Sequence, residues 1–195
     1  MKTKLSALAL SLFLAGHGFA AEGMAPHSLP LSTNAKSAID GQVAAGEYAT
    51  TFTDSRTGIT VSWQADAQNL YVGLRSPGKG WIAIGFGATG MKGASMVVGY
   101  VNKAGQWIAE EQMGKAFYRH STVENPKLIA GSADLKNGKT VLEFALPLAL
   151  SNGQTIQPGK PMPFVLAFHK TKTKLSKHSR KASAQLVLQA NPNAP

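Results

Sequence analysis

Short strand-like segments separated by turn signals fill most of the chain, and this pattern restricts the folds that are open to it. Residues 59–63 alternate apolar and polar side chains, as a half-buried strand does. Residues 81–86 are nearly all apolar, as in a strand buried on both faces. Asn137-Gly138 is typical of a two-residue hairpin turn, and no stretch has a convincing 3.6-residue period. The pattern predicts an all-β single domain, an antiparallel immunoglobulin-like β-sandwich of about ten strands.

The predicted strands are separated by clusters of turn-forming residues. They cover residues 59–63, 70–75, 81–86, 96–101, 107–109, 127–130, 140–146, 164–169 and 184–188. We expect the sandwich to occupy residues 37–190. Residues 21–36 contain turn formers without periodicity and are predicted to be a flexible segment, and residues 191–195 are predicted to be a loose tail.

The first twenty residues have the pattern of a secretory signal peptide. Lys2 and Lys4 precede an apolar stretch at 5–15, and Gly18-Phe19-Ala20 offers the small residues of a cleavage site. We predict cleavage after Ala20 and export to the periplasm or the extracellular space, with an uncleaved anchor as the alternative. No later apolar run is long enough to span a membrane. Removing Lys2 and Lys4 takes the formal net charge from +10 to +8.

Two residues stand out as metal ligands in a chain that has no cysteine. The absence of cysteine excludes disulfides, iron–sulfur clusters and thiolate metal sites. Met91 follows the buried strand at 81–86 and is framed by Gly87, Gly90 and Gly93. His178 lies in a basic loop before the last predicted strand. A thioether and an imidazole are a known axial pair for low-spin haem iron, whereas a core methionine and a solvated histidine are the alternatives.

The order and spacing of several motifs resemble those of the DOMON family of β-sandwich domains, from about Ile39 to Leu188. The motifs are Ile39-Asp40-Gly41, Gly46-Glu47-Tyr48, Thr57-Gly58-Ile59, Leu70-Tyr71-Val72-Gly73-Leu74, the block 80–100, Leu142-Glu143-Phe144 and Lys177-His178-Ser179. The resemblance implies an exported protein that binds haem b and carries single electrons, similar to the cytochrome domain of cellobiose dehydrogenase. The haem would be non-covalent, because no cysteine is present to attach it.

The resemblance also implies the axial ligands, which are Met91 and His178. His169 is the alternative to His178, and His120 is a more distant one. The chain departs from the family pattern at Ser95, where many members have an acidic residue, and at Lys181-Ala182, where many have glycine.

Three aromatic side chains near Met91 are candidates for lining a haem pocket. They are Trp81, Phe86 and Tyr100, for each of which plain core packing is the alternative. The geometry poses a difficulty, because strictly alternating strands place the loops of Met91 and His178 at opposite ends of the sandwich. We expect one of the long connections, at 113–126 or 147–162, to cross the sandwich and reset the alternation.

A basic run, Lys170–Lys181, surrounds His178. It is either a solvated edge that prevents aggregation or a surface that neutralises haem propionates and docks an acidic redox partner, with binding that weakens with salt. The run contains no aromatic residue for stacking on bases, so nucleic acid is not an expected partner.

Two further classes of function compete with electron transfer. A carbohydrate-binding β-sandwich without haem would present exposed tryptophans on one face. An enzyme is not expected, since the sequence has no paired acids at hydrolase-like placement, no nucleophile elbow and no phosphate-binding loop. Haem storage remains open beside electron transfer.

Overall fold

The computed structural model describes residues 25–32 and 37–190, and this part of the chain folds into two packed β-sheets without a helix. The strands are β1 (His27–Leu29), β2 (Thr50–Thr53), β3 (Thr60–Ala65), β4 (Asn69–Arg75), β5 (Ile82–Phe86), β6 (Ser95–Val101), β7 (Trp107–Ala116), β8 (Arg119–Thr122), β9 (Ala130–Lys136), β10 (Lys139–Pro147), β11 (Pro161–Phe168) and β12 (Arg180–Leu188). One sheet has seven strands in the order β1-β12-β11-β5-β6-β7-β8, and the other has five in the order β2-β3-β4-β10-β9. The predicted all-β sandwich is confirmed.

The core between the sheets comes from the period-two alternation of the strands. On β11, Phe164, Leu166 and Phe168 point into this core, and on β10 Leu142 and Phe144 meet them. Asn137 and Gly138 both have positive φ, at 51° and 73°, which makes the predicted hairpin between β9 and β10.

Several segments differ from the sequence-based expectation. Within the segment predicted to be flexible, His27–Leu29 forms β1, which pairs in parallel with β12 and buries Leu29 completely. Residues 127–129 lie in the crossover before β9 rather than in a strand. The predicted signal peptide and C-terminal tail lie outside the described residues. No helix among the residues that are described is long and apolar enough to cross a membrane.

The connections between the sheets do not bring the loops of Met91 and His178 to the same end of the sandwich, as had been expected. The chain passes from the seven-stranded to the five-stranded sheet between β8 and β9 and returns between β10 and β11. Nevertheless, Phe86 pairs with Phe164 at one end of β5 and Ile82 pairs with Phe168 at the other. The loop after β5 and the loop after β11 therefore lie at opposite ends of the same sheet, so the expected reset was wrong.

Candidate functional site

The seven-stranded sheet carries a second apolar cluster on the face that points away from the sandwich core. Its buried members are Trp81, Ala83, Ala94, Met96 and Val98. Half-buried side chains packed against them are Ala88, Met91, Tyr100, Ala167 and Leu175. We call these ten residues the outer cluster. A sheet face that looks outward is usually polar in a sandwich, so this face differs from the usual pattern, and its five buried members are covered by side chains of the same chain.

The floor of the outer cluster consists of small residues on the three central strands. Ala83 on β5 lies opposite Ala167 on β11, and Val98 on β6 pairs with Ala83 from the other side. Gly85 is the next residue of β5 on the same face as Ala83, and a Cβ at this position would lie 2.7 Å from Met96 Cγ. Larger side chains, Trp81 and Tyr100 among them, surround this floor.

Met91 reaches the outer cluster from the β5–β6 loop, which is bonded to β7. Gly93 N donates to Gly114 O at 2.8 Å, and Gly114 N donates to Ala94 O at 3.0 Å. A Cβ on Gly114 would stand 1.6 Å from Met91 O, so only glycine lets the loop approach β7 this closely. Two bonds and one close approach thus hold Met91 at this end of the cluster.

The β11–β12 loop, residues 169–179, covers the other end. Leu175 packs on the outer cluster, and Trp81 Nε1 donates to Ser176 Oγ at 3.4 Å. Trp81 N donates to Lys172 O at 2.9 Å, which ties the loop to the start of β5. Met91 and the loop of His178 therefore meet the same cluster from opposite ends.

His178 is half-buried, and its electrostatic surroundings favour the neutral ring. Burial lowers the pKa of the His178 imidazole, and the positive charges of Lys181 and Lys177 lower it further. A neutral imidazole has the free lone pair that a metal requires. His178 therefore has the protonation state of a ligand at neutral pH.

His169, the alternative ligand, has a structural role in the same loop. Its Nδ1 accepts hydrogen bonds from Thr171 N at 3.0 Å and Lys172 N at 2.8 Å. The ring thereby closes the turn that leads towards Leu175 and His178. Because Nδ1 is occupied, only Nε2 of His169 is free for a metal.

A chain of polar side chains borders the outer cluster on the side of β7 and β8. Tyr100 OH donates to Glu110 Oε2 at 3.0 Å, Gln112 Nε2 donates to the same oxygen, and His120 Nδ1 bonds to Gln112 Oε1. Burial, together with the bond to Glu110 and its charge, raises the pKa of Tyr100 to about 12. The pKa of His120 is lowered by burial, against the opposing effect of Glu110.

The other aromatic candidates do not share one surface. Phe86 is fully buried between the two sheets, on the opposite face of β5 from the outer cluster, which agrees with its alternative role in plain core packing. Trp63 is fully buried, Trp81 is 7% exposed and Trp107 is half-buried, so the exposed tryptophan face of a sugar-binding module is missing. Within the described residues no group of three histidine or acidic side chains could hold a metal ion.

Three residues of the outer cluster were not identified from the sequence, namely Leu175, Ala83 and Ala167. No sequence pattern marks any of them as part of a site. Glu110 and Gln112 could have been predicted to lie together, since residues two positions apart in a strand share a face.

The outer face of the five-stranded sheet is closed by the chain itself. Glu143 on β10 is completely buried there and accepts hydrogen bonds from Gly41 N at 2.7 Å, Gln42 N at 2.8 Å and Tyr48 OH at 3.0 Å. Burial raises the pKa of the Glu143 carboxyl despite these bonds, and burial and Glu143 together raise that of Tyr48.

Comparisons with known proteins agree with this architecture. A family model described as the DOMON domain matches residues 55–169, and the match ends before His178. The cytochrome b domain of pyranose dehydrogenase from Coprinopsis cinerea has a TM-score of 0.53 at 17% identity, over 69% of this chain and 79% of that one. No curated protein sequence matches the chain.

A carbohydrate binding module of family 9 from Caldicellulosiruptor kristjanssonii, solved with cellotriose, has a TM-score of 0.51 at 10% identity, over 87% of this chain and 96% of that one. The cytochrome domain of Myriococcum thermophilum cellobiose dehydrogenase has a TM-score of 0.48 at 13% identity, over 73% and 91%. The two scores above 0.5 show a shared β-sandwich fold.

Proposed function

The chain belongs to the DOMON domain family, and on that premise we propose that it is an exported electron carrier that binds haem b non-covalently, with Met91 and His178 as the axial ligands. The observation that carries this proposal is the outer cluster, an apolar surface on an outward sheet face that two loops approach from opposite ends. The fold similarity to the pyranose dehydrogenase cytochrome b domain supports the same assignment.

The residues present fit a haem in chemistry. Haem is a flat, largely apolar group, and the floor formed by Ala83, Gly85 and Ala167 is small and apolar. Met91 and the loop of His178 meet the outer cluster from opposite ends, so a haem bound between them would be held by the Met91 thioether and the His178 imidazole.

The bound haem would supply one-electron chemistry, and the chain's own residues would tune it. A methionine–histidine pair favours the ferrous state relative to two histidines. Trp81 and Leu175 exclude water from the end of the cluster beside the 169–179 loop. The lowered pKa of His178 keeps its lone pair available.

The first test is an absorption spectrum of the mature protein with haem, oxidised and then reduced with dithionite. We expect sharp low-spin α and β bands on reduction. Met91→Leu and His178→Ala should each convert the six-coordinate spectrum to a five-coordinate one or abolish haem binding. Protein that stays colourless with excess haem, or two variants with the wild-type spectrum, would contradict the proposal.

Two matched controls locate the ligands. Met96 is the other methionine of the outer cluster, so Met96→Leu removes a thioether from the same surface and should leave the spectrum unchanged. His120→Ala should also leave it unchanged. If His169→Ala removes the low-spin bands and His178→Ala does not, His169 is the ligand.

Sugar binding is the second candidate, and one observation favours it. Phe117 and Tyr118, at the tip of the β7–β8 hairpin, are 75% and 94% exposed, and exposed aromatic rings can stack on sugars. This function predicts that cellotriose quenches protein fluorescence and that Tyr118→Ala abolishes the effect. This function involves no haem, so the protein would stay colourless when haem is added.

A further inference from the structure

The loop of His178 does not stand alone, because other basic segments are bonded to it. Lys79 N donates to Lys170 O at 3.1 Å, so Lys79 lies beside the base of the loop. Val101 N donates to Thr173 O at 2.9 Å, which brings the turn containing Lys103 to the same place. Lysines that are far apart in the sequence therefore share one end of the sandwich.

Two more segments extend this surface. Thr140 N donates to Gly78 O at 3.0 Å, which places Lys139 next to the turn of Lys79. Arg180 Nη1 donates to Arg56 O at 3.2 Å, so two arginines lie together at the start of β12. We call Arg56, Lys79, Lys103, Lys139, Arg180 and the lysines of residues 169–179 the basic end.

The two carboxylates in the strands and turns of this end, Asp54 and Asp134, offset little of its charge. Asp54 is buried, and its Oδ1 accepts hydrogen bonds from Thr57 N and Oγ1. Asp134 forms an ion pair with Lys136 at 2.7 Å. Lys79, Lys103 and Lys139 are all exposed. The basic end is therefore a concentrated positive field around the proposed ligand His178.

We propose that the basic end is the docking surface for an acidic electron-transfer protein. This inference rests on the proposed function, because it places the partner next to the loop that carries an axial ligand. A haem bound there would exchange one electron with the partner, so that one of the two is oxidised as the other is reduced. Charge complementarity would speed the encounter and orient the complex.

The distribution of exposed aromatic residues favours a protein partner over a lipid surface. Proteins that bind anionic membranes place apolar anchors next to their basic residues. Here the large apolar side chains with the greatest exposure, Phe117 and Tyr118, lie at the other end of the sheet, beside the Met91 loop, whereas Leu135, next to Lys139, is 39% exposed.

The test uses two double charge reversals that change the net charge equally. Lys79→Glu/Lys139→Glu alters the basic end outside the His178 loop. Lys115→Glu/Lys160→Glu alters exposed lysines elsewhere. The probe is an oxidised flavodoxin, a small acidic electron-transfer protein, titrated calorimetrically at low and at physiological salt. Vesicles of phosphatidylglycerol and phosphatidylcholine provide the lipid comparison.

We expect the first double variant to weaken flavodoxin binding about 10-fold or more at low salt and the second to change it less than about 3-fold, since complementary charge acts locally. Vesicles should bind neither the wild-type protein nor either double variant appreciably. Equal losses in both variants would overturn the proposal, because they would reflect net charge alone. Vesicle binding that depends on Lys79 and Lys139, without flavodoxin binding, would replace the protein partner with a membrane.

The haem spectrum separates this proposal from the one on which it rests. Both double variants keep Met91, His178 and the outer cluster, so both should show wild-type low-spin bands. Loss of selective flavodoxin binding with an intact spectrum refutes the docking surface alone. A colourless protein refutes the electron carrier, whatever the titrations show.

Discussion

The outer faces of the two sheets differ in what covers them. On the five-stranded sheet, residues 37–48 close the face through polar contacts, with the buried Glu143 bonded to Gly41, Gln42 and Tyr48. On the seven-stranded sheet the centre of the face is apolar, and two loops, 87–94 and 169–179, pack against it from opposite ends. The first face is covered by residues 37–48 through polar contacts, whereas the second carries the outer cluster.

This difference indicates which face binds a ligand. A buried carboxylate with three donors fixes one conformation, because every polar atom needs its partner. An apolar cluster makes no such demand on geometry and gains stability from any apolar group that covers it. Variants on each face test whether the two faces are independent, and the expected effect on stability decreases from Glu143 to Tyr100.

The largest expected effect is the loss of the Glu143 contacts. Glu143→Ala leaves two amide donors and one hydroxyl without an acceptor in a buried site, and we expect it to lower the free energy of unfolding by roughly 3 kcal/mol. Urea unfolding measures this. The haem spectrum of the folded variant should stay unchanged, and a loss of the low-spin bands would show that the two faces are coupled.

The pH dependence of the free energy of unfolding tests the same comparison, with Glu143→Gln as the variant. Burial raises the native pKa of Glu143 above its unfolded value, so between these two values the folded state binds more protons than the unfolded state. Stability contributed by this group is therefore present below the unfolded pKa and is lost as the pH rises through the native pKa. Glu143→Gln should flatten this part of the stability–pH curve, and an unchanged slope would contradict the assignment.

Gly114→Ala acts on the other face. The added Cβ meets Met91 O, so the loop has to move, at a cost of about 1–3 kcal/mol for overpacking. Displacement of Met91 should also weaken the low-spin bands. Gly90→Ala is the control in the same loop, because its Cβ would have no neighbour within 4 Å. A wild-type spectrum in Gly114→Ala would separate Met91 from the haem.

The sequence predicted the central strands and the loop of Met91, since these depend on apolar runs and turn residues. It missed β1, β2 and β8, which have three or four residues each and exist through pairing with longer strands, and of β9 it predicted only the first residue, Ala130. Such short segments have too few residues for a period to show.

The position of Phe86 in the core could have been predicted from the alternation of side chains along a strand. Residues 81 and 86 differ by an odd number and therefore lie on opposite faces of one strand. An apolar run hides this alternation, because both faces of β5 are covered. Leu175 and Gly114, by contrast, are assigned only by the folded contacts they make.

His169 offers a smaller effect within the His178 loop. His169→Ala removes the acceptor for Thr171 N and Lys172 N, and we expect a loss of about 1–2 kcal/mol. His169→Asn supplies a side-chain oxygen near the position of Nδ1 and should restore most of the stability. If Asn does not rescue the variant, the ring acts through packing rather than through these two bonds. Thermal unfolding of the three proteins distinguishes the cases.

The smallest expected effect is that of Tyr100→Phe, at the border between the outer cluster and the polar chain. With a pKa of about 12, the phenol stays protonated at working pH and donates continuously to Glu110. Phenylalanine keeps the ring on the outer cluster and removes one donor, while Gln112 still donates to the same carboxylate. We expect a change below about 1 kcal/mol and a small shift in the haem potential, measured by redox titration. Because the ring is retained, a large loss of haem affinity would mean that the hydroxyl group, and not the apolar surface, holds the cofactor. The contrast between the polar and the apolar face would then fail at the site itself.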